Sequence, residues 1–225
     1  GAPACRESDA MGGGDPYSAS KGAAELVVSS FRYAFFPQSE LDKHGVALAS
    51  ARAGNAIGGG DWGPDRIMTD IVLNLAAGKP VPIRNPTAVR PWQHVLEPLS
   101  GYLALAARLV SAPGAGSFCS GWNFGPAEAE EATVAQLAEI ACRAWGKGTW
   151  RDVRDPSQPR EAPFLRLSID KAARELDWRP RWPLETAVNR TVAWYRCHYD
   201  NPGESMQEAC LEDIAEYGKT LDIRP

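Results

Sequence analysis

From residue 17 onward, positions recur at alternating steps of four and three: Tyr17, Lys21, Ala24, Val28, Phe31 and Phe35. That repeat is one face of an α-helix, so the spacing predicts a helix that buries this stripe. The chain enters it through the turn-forming run Gly12-Gly13-Gly14-Asp15-Pro16, and Pro37 closes it. The next segment, Val46 to Asn55, is apolar and short, which predicts a strand leading to the glycine turn Gly58-Gly59-Gly60. After Pro98, the residues Leu99, Tyr102, Leu103, Ala106, Leu109 and Val110 outline a second amphipathic helix. A third begins at Thr133, whose hydroxyl caps while Gln136 reaches back, and it buries Val134, Leu137, Ile140, Ala141 and Trp145. Leu184, Val188, Val192 and Tyr195 mark a fourth. The proline-rich joins 156–163 and 179–183 read as ordered connectors, because the helices they flank are too short to stand alone. Helix, strand and then a loop at ligand height is the local order of an α/β fold that binds at its strand ends.

Composition narrows the class without choosing a function. The 225 residues are 44% hydrophobic and 23% charged, an ordinary globular balance, and a net charge of −4 argues against a general nucleic-acid surface. Cys5, Cys119, Cys142, Cys197 and Cys210 are odd in number and widely spaced, which suits unpaired thiols in a reducing compartment. His44, His94 and His198 form no ligand pattern, so no metal is expected. The sequence carries no signal segment or long apolar run, and the expectation is a cytoplasmic protein with no membrane or nucleic-acid partner.

Chemistry first shows at Tyr17 and Lys21. Four residues is just over one helical turn, so the phenol and the ammonium leave the same face. An ammonium held beside a phenol favours the ionised form, a proton acceptor for an alcohol under oxidation. The pair alone leaves two readings open: a dehydrogenase-like site, or an anchoring aromatic beside a solvated charge. A formal GxGxxG match at Gly58, Gly60 and Gly63 is followed by Pro64, and the position where a ribose-binding carboxylate would stand is Ile83. It reads as a tight turn. Arg66, Arg84 and Arg90 lie in loop-like segments, and a guanidinium can grip phosphate oxygens through two parallel hydrogen bonds. Each is either a phosphate contact or a solvated charge, as Trp92 is either a stacking ring or core.

The stretches DPYSASKGAAELV, ARAGNAIGGGDWGPDRI and IRNPTAVRPWQHVLEPLSGYLAL resemble the CDP-glucose 4,6-dehydratases, a family of extended short-chain dehydrogenases/reductases in nucleotide-sugar metabolism. GWNFGP at 121–126, RELDW and WPLETAVNRTVAWYR fit as well, so the resemblance runs from about Arg6 to about Tyr199. It implies a doubly wound, Rossmann-type parallel sheet, here truncated, with a smaller mixed α/β substrate-binding domain. Residues 1–55 and 93–125 would be the remainder of the dinucleotide-binding domain, 56–92 and 126–200 the nucleotide-sugar-binding domain, and 201–225 a C-terminal extension.

The activity implied is NAD-dependent dehydration of CDP-glucose to CDP-4-keto-6-deoxyglucose, by a homo-oligomer when full length. Tyr17 would accept the hydroxyl proton at carbon 4, and Lys21 would assist it and hold the nicotinamide ribose. By the same resemblance Asn55, Arg66, Ile67, Arg84, Arg90, Asn123 and Glu161 would meet the substrate. Members of the family begin with a strand, a phosphate-binding glycine turn and a helix, and their dehydration acid, base and threonine precede the tyrosine. With sixteen residues before Tyr17, the expectation is a fragment, inactive alone. An epimerase or reductase of the same superfamily, or a non-catalytic sugar-nucleotide-binding module, are the alternatives.

Overall fold

The computed structural model describes residues 3–111, 114–155, 157 and 164–220. In chain order the elements are α1 (Pro16–Ala34), α2 (Leu41–His44), β1 (Ser50–Ala53), β2 (Asn55–Ile57), α3 (Ile67–Ala76), β3 (Val81–Ile83), β4 (Val89–Arg90), β5 (Trp92–His94) and α4 (Leu96–Ser111). They continue with β6 (Gly121–Phe124), β7 (Ala132–Thr133), α5 (Val134–Trp145), β8 (Trp150–Asp152), α6 (Asp170–Glu175), α7 (Leu184–Asp200) and α8 (Gln207–Thr220). The fold is α/β. Strand β1 runs parallel to β6, β2 to β5 and β3 to β8, while β4 and β7 are antiparallel. The strand predicted over 46–55 is shorter, because at Gly54 the chain changes partner from β6 to β5. A Cβ on Gly54 would stand 2.5 Å from the Pro91 carbonyl oxygen, so only glycine lets the two strands pass so closely.

Two clusters of buried side chains result. One gathers Leu105, Trp122, Phe124, Ala172, Leu176 and Trp178 around β6, with Ala49 and Tyr102 packed against it. The other gathers Ile57, Ile71, Val81, Ile83, Leu137, Ala141, Val188 and Val192, where α3, α5 and α7 meet the short strands. The capping box predicted at Thr133 is present: Thr133 Oγ1 accepts the Gln136 N–H at 3.2 Å, and Gln136 Oε1 accepts the Thr133 N–H at 2.8 Å. In α7 the predicted stripe Leu184, Val188, Val192 and Tyr195 is buried throughout.

Two predicted stripes are not. In α1, Tyr17, Phe31 and Phe35 are 71%, 48% and 63% exposed, and of the predicted stripe only Val28 is half-buried, on an inward face formed with Ser18, Gly22, Glu25 and Arg32. Leu26, Val27, Tyr33 and the predicted stripe together put apolar groups on almost every face, so the period cannot choose one. What chooses is Gly22, where a Cβ would lie 2.9 Å from the Gly12 nitrogen, together with the polar contacts of Glu25. In α4, Tyr102 and Leu109 of the predicted stripe pack against the first cluster, but Leu99, Leu103 and Val110 are exposed, and Glu97, Pro98, Gly101 and Leu105 face inward. The reason is again a glycine: a Cβ on Gly101 would sit 2.2 Å from the ring of Phe124, which is fully buried. Gly101→Ala is therefore expected to cost about 1–3 kcal/mol through overpacking, read as a lower midpoint in urea unfolding, and an unchanged midpoint would refute the close approach.

Glu97 is fully buried beneath the segment that enters α7. Its carboxylate accepts the backbone N–H groups of Arg181 at 3.0 Å and Trp182 at 2.7 Å, and the Tyr217 hydroxyl at 2.7 Å. Burial pushes its carboxyl above the usual range, while these donors pull it back. Nearby, His94 accepts the Leu96 N–H on Nδ1, packs edge-on against Trp182 at 4.9 Å, and is pushed down to about 4 by burial and then by the Arg190 charge. No helix among the described residues is long and apolar enough to cross a membrane.

Candidate functional site

Tyr17 lies in the first turn of α1. Asp15 caps that turn, accepting the Ser18 N–H at 2.9 Å, and Pro16 supplies a φ already suited to a helix start. Lys21 stands one turn on, its Nζ 5.3 Å from the centroid of the Tyr17 ring. Both side chains are exposed on the same face, as the four-residue spacing requires. The ammonium thus lies over the ring face.

The helix that carries this pair is fastened by charge. Arg52 on β1 donates from Nε and Nη2 to the two oxygens of Glu25, both at 2.9 Å, and Ser50 adds its hydroxyl at 2.8 Å. These contacts hold the Glu25 carboxyl below the usual range and raise the Arg52 guanidinium. Gly121 makes room for them, since a Cβ there would fall 2.6 Å from Arg52 Nη2. Asn123, opposite Arg52 in the β1–β6 register, is buried. It donates its N–H to Glu7 Oε1 at 3.0 Å and its side-chain amide to the Cys5 carbonyl at 3.1 Å. Its Oδ1 has no partner among the described residues. The approach to Tyr17 is therefore anchored on β6.

The remaining predicted residues gather one strand pair further on. Asn55 opens β2 and lies opposite Trp92, two residues beyond Arg90. Arg90 Nη1 donates to the Val89 carbonyl at 2.9 Å. Arg84 reaches Asp65 at 3.2 Å, an ion pair that joins the loops before α3 and after β3, and Arg66 reaches Asp61 at 3.6 Å within the first of them. Ile67 starts α3 and packs against the second cluster. Trp92 is 5% exposed and belongs to the core. The turn at Gly58 to Gly63 is occupied from within: a Cβ on Gly59 would lie 2.1 Å from the Trp194 ring, and Gly60 has φ +82°. Glu161 lies outside the described residues, as does most of the 156–163 connector.

Glu25, Arg52 and Glu97 are the residues that reasoning from sequence missed. The signal for the first pair was an arginine inside the small-residue strand Ser50–Ala53, where a charge survives only with a partner. Among the described residues no group of His, Cys, Asp or Glu is placed to hold a metal ion.

Set beside known structures, this arrangement is the Rossmann-like fold of nucleotide-sugar dehydratases and epimerases. It superposes on a dTDP-glucose 4,6-dehydratase of Bacillus anthracis, solved with NAD, with a TM-score of 0.69 at 22% identity, covering 88% of this chain and 58% of that one. A UDP-glucuronic acid 4-epimerase of Bacillus cereus gives a TM-score of 0.66 at 18% identity, covering 81% and 53%. In sequence the chain is 45% identical over 212 residues to the CDP-glucose 4,6-dehydratase of Salmonella typhimurium, covering 94% of this chain and 58% of that protein. It is 32% identical over 184 residues to a dTDP-glucose 4,6-dehydratase of Streptomyces antibioticus, covering 80% and 49%. The chain thus spans about half the length of the curated relatives it matches. No family model matches it.

Proposed function

We propose that this chain carries the tyrosine–lysine helix and the nucleotide-sugar site of an NAD-dependent lyase that converts CDP-glucose to CDP-4-keto-6-deoxyglucose. The observation that carries the reading is the 45% identity over 212 residues to a protein of that name, which takes in both groups of site residues. Tyr17 accepts the proton of the hydroxyl at carbon 4, with the ammonium of Lys21 beside it on the same face. Lys21 also donates to the ribose hydroxyls beside the nicotinamide. NAD, when bound, supplies a hydride acceptor that returns its hydride in the same cycle.

The residues present fit one end of that cofactor. Tyr17 and Lys21 are open on a common face, whereas the Gly58 to Gly63 turn is closed by Trp194 and cannot cradle a pyrophosphate. Arg66, Arg84 and Arg90 supply the charge for two phosphates, with Asn55, Ile67, Glu161 and the unpartnered Oδ1 of Asn123 completing the contacts. Residues 1–55 and 93–125 form the cofactor side in this reading, and 56–92 and 126–200 the sugar side. A cytoplasmic homo-oligomer belongs to the same reading.

Arg90→Lys tests it. Lysine keeps the charge but loses the two-pronged grip, so CDP and CDP-glucose should bind about 1–3 kcal/mol more weakly in calorimetric titration, with thermal unfolding unchanged. Equal affinity in the two proteins would remove Arg90 from the site. Equal binding of CDP and another nucleoside diphosphate would remove the cytidine preference and leave the reaction class standing.

A further inference from the structure

We propose that α8 is a releasable latch, a C-terminal helix seated on α4 and α7 by polar contacts and poised to lift away as a unit while the rest of the chain stays folded. Tyr217 is its one buried residue among those described, and Leu211 and Ile214, its large apolar side chains, are each 54% exposed. Little apolar area holds it down. Its charged seat is Arg190 of α7, which lies 3.4 Å from Asp213, 3.7 Å from Glu212 and 3.8 Å from Glu216. Asp213 is mostly covered, but the longer pairs to Glu212 and Glu216 are partly open to solvent, so they hold weakly and are screened by salt.

The main cost of losing the helix is one ring, Tyr217, which is 4% exposed and packs edge-on against Trp182 at 5.1 Å. Most partners of α8 have a second contact that stays behind, while the exposed Arg181 guanidinium, which donates to the Thr220 carbonyl at 3.0 Å, goes to water. Glu97 loses the Tyr217 hydroxyl and keeps the N–H groups of Arg181 and Trp182. Ser100, 3.0 Å from Tyr217 Oη, keeps the indole N–H of Trp178 at 2.8 Å. Arg190 keeps the face of Trp182, and Trp194, whose Nε1 meets Cys210 at 3.3 Å, keeps its stack on His198. Release leaves no buried polar group orphaned, which is the usual obstacle to detaching an element. It uncovers Trp182, the middle ring of the Tyr217–Trp182–His94 series, whose inner end terminates β5.

Amide hydrogen exchange on the 225-residue chain, read segment by segment, tests this. Residues 207–220 should exchange at least about tenfold faster than 184–200, with a further rise of about threefold at high salt confined to α8. Tyr217→Phe keeps the ring and removes the hydroxyl, so it should speed α8 and leave α4 and α7 unchanged. Leu211→Ser, on the exposed face, should change nothing. Exchange of α8 in step with α7, or a salt effect shared equally by both, would overturn the latch.

Discussion

Glu97→Ala should lower the stability of the folded chain by about 2–4 kcal/mol, the cost of leaving buried donors without their acceptor. Alanine leaves the N–H groups of Arg181 and Trp182 and the hydroxyl of Tyr217 pointing into a void, in a place that is fully buried. Glu97→Gln fills the void and keeps one acceptor, so it should cost about half as much. Urea unfolding followed by tryptophan fluorescence measures both, and a loss below about 1 kcal/mol for the alanine variant would show that the network carries no net weight. The pH dependence has a definite sign. Burial raises the Glu97 carboxyl above its ordinary 4.5, so the folded form binds its proton more readily than the unfolded form does. That contribution is complete below 4.5 and is lost as pH rises through the folded value, so the advantage over Glu97→Gln should shrink in that direction.

In the proposed lyase, Tyr17→Phe should reduce turnover by about 10²–10⁴-fold, the usual range for removing a positioned acid or base. The structure makes this variant informative. The ring is 71% exposed, and its hydroxyl makes no hydrogen bond among the described residues, so nothing in the fold depends on the phenol oxygen. Thermal unfolding and CDP-glucose affinity should both stay at their unmutated values. A loss confined to the turnover number identifies a proton acceptor, whereas a matching loss of affinity would identify a binding contact and move the chemistry elsewhere.

The sequence was readable where a local rule and the tertiary contact agreed. Thr133 and Gln136 cap α5 because the capping box needs only residues three apart, and the α7 stripe is buried because one face alone is apolar. The α1 and α4 stripes misled because their helices are apolar on several sides and the inward face is selected from outside the helix. Gly22 against Gly12 and Gly101 against Phe124 are partners that no period within a helix encodes. The site divides the same way. Tyr17 and Lys21 follow from spacing, but the pair that fixes their helix joins positions 25 and 52, and Glu97 is joined to 181, 182 and 217. Such contacts are legible only once the chain is folded.

One residue, Gly54, separates β1 from β2. On one side of it stands Arg52, which fixes the bearing of the Tyr17 helix, and on the other Asn55, aligned with the strand that follows Arg90. The two halves of the site are therefore coupled like vernier scales read at a single mark. Side chains alternate along extended backbone, so adding or deleting one residue at this mark would turn every downstream side chain of β2 to the opposite face. The Tyr17 helix and the strand that follows Arg90 owe their mutual alignment to a spacer that cannot be lengthened or bulked, which makes position 54 a metric constraint on the proposed site.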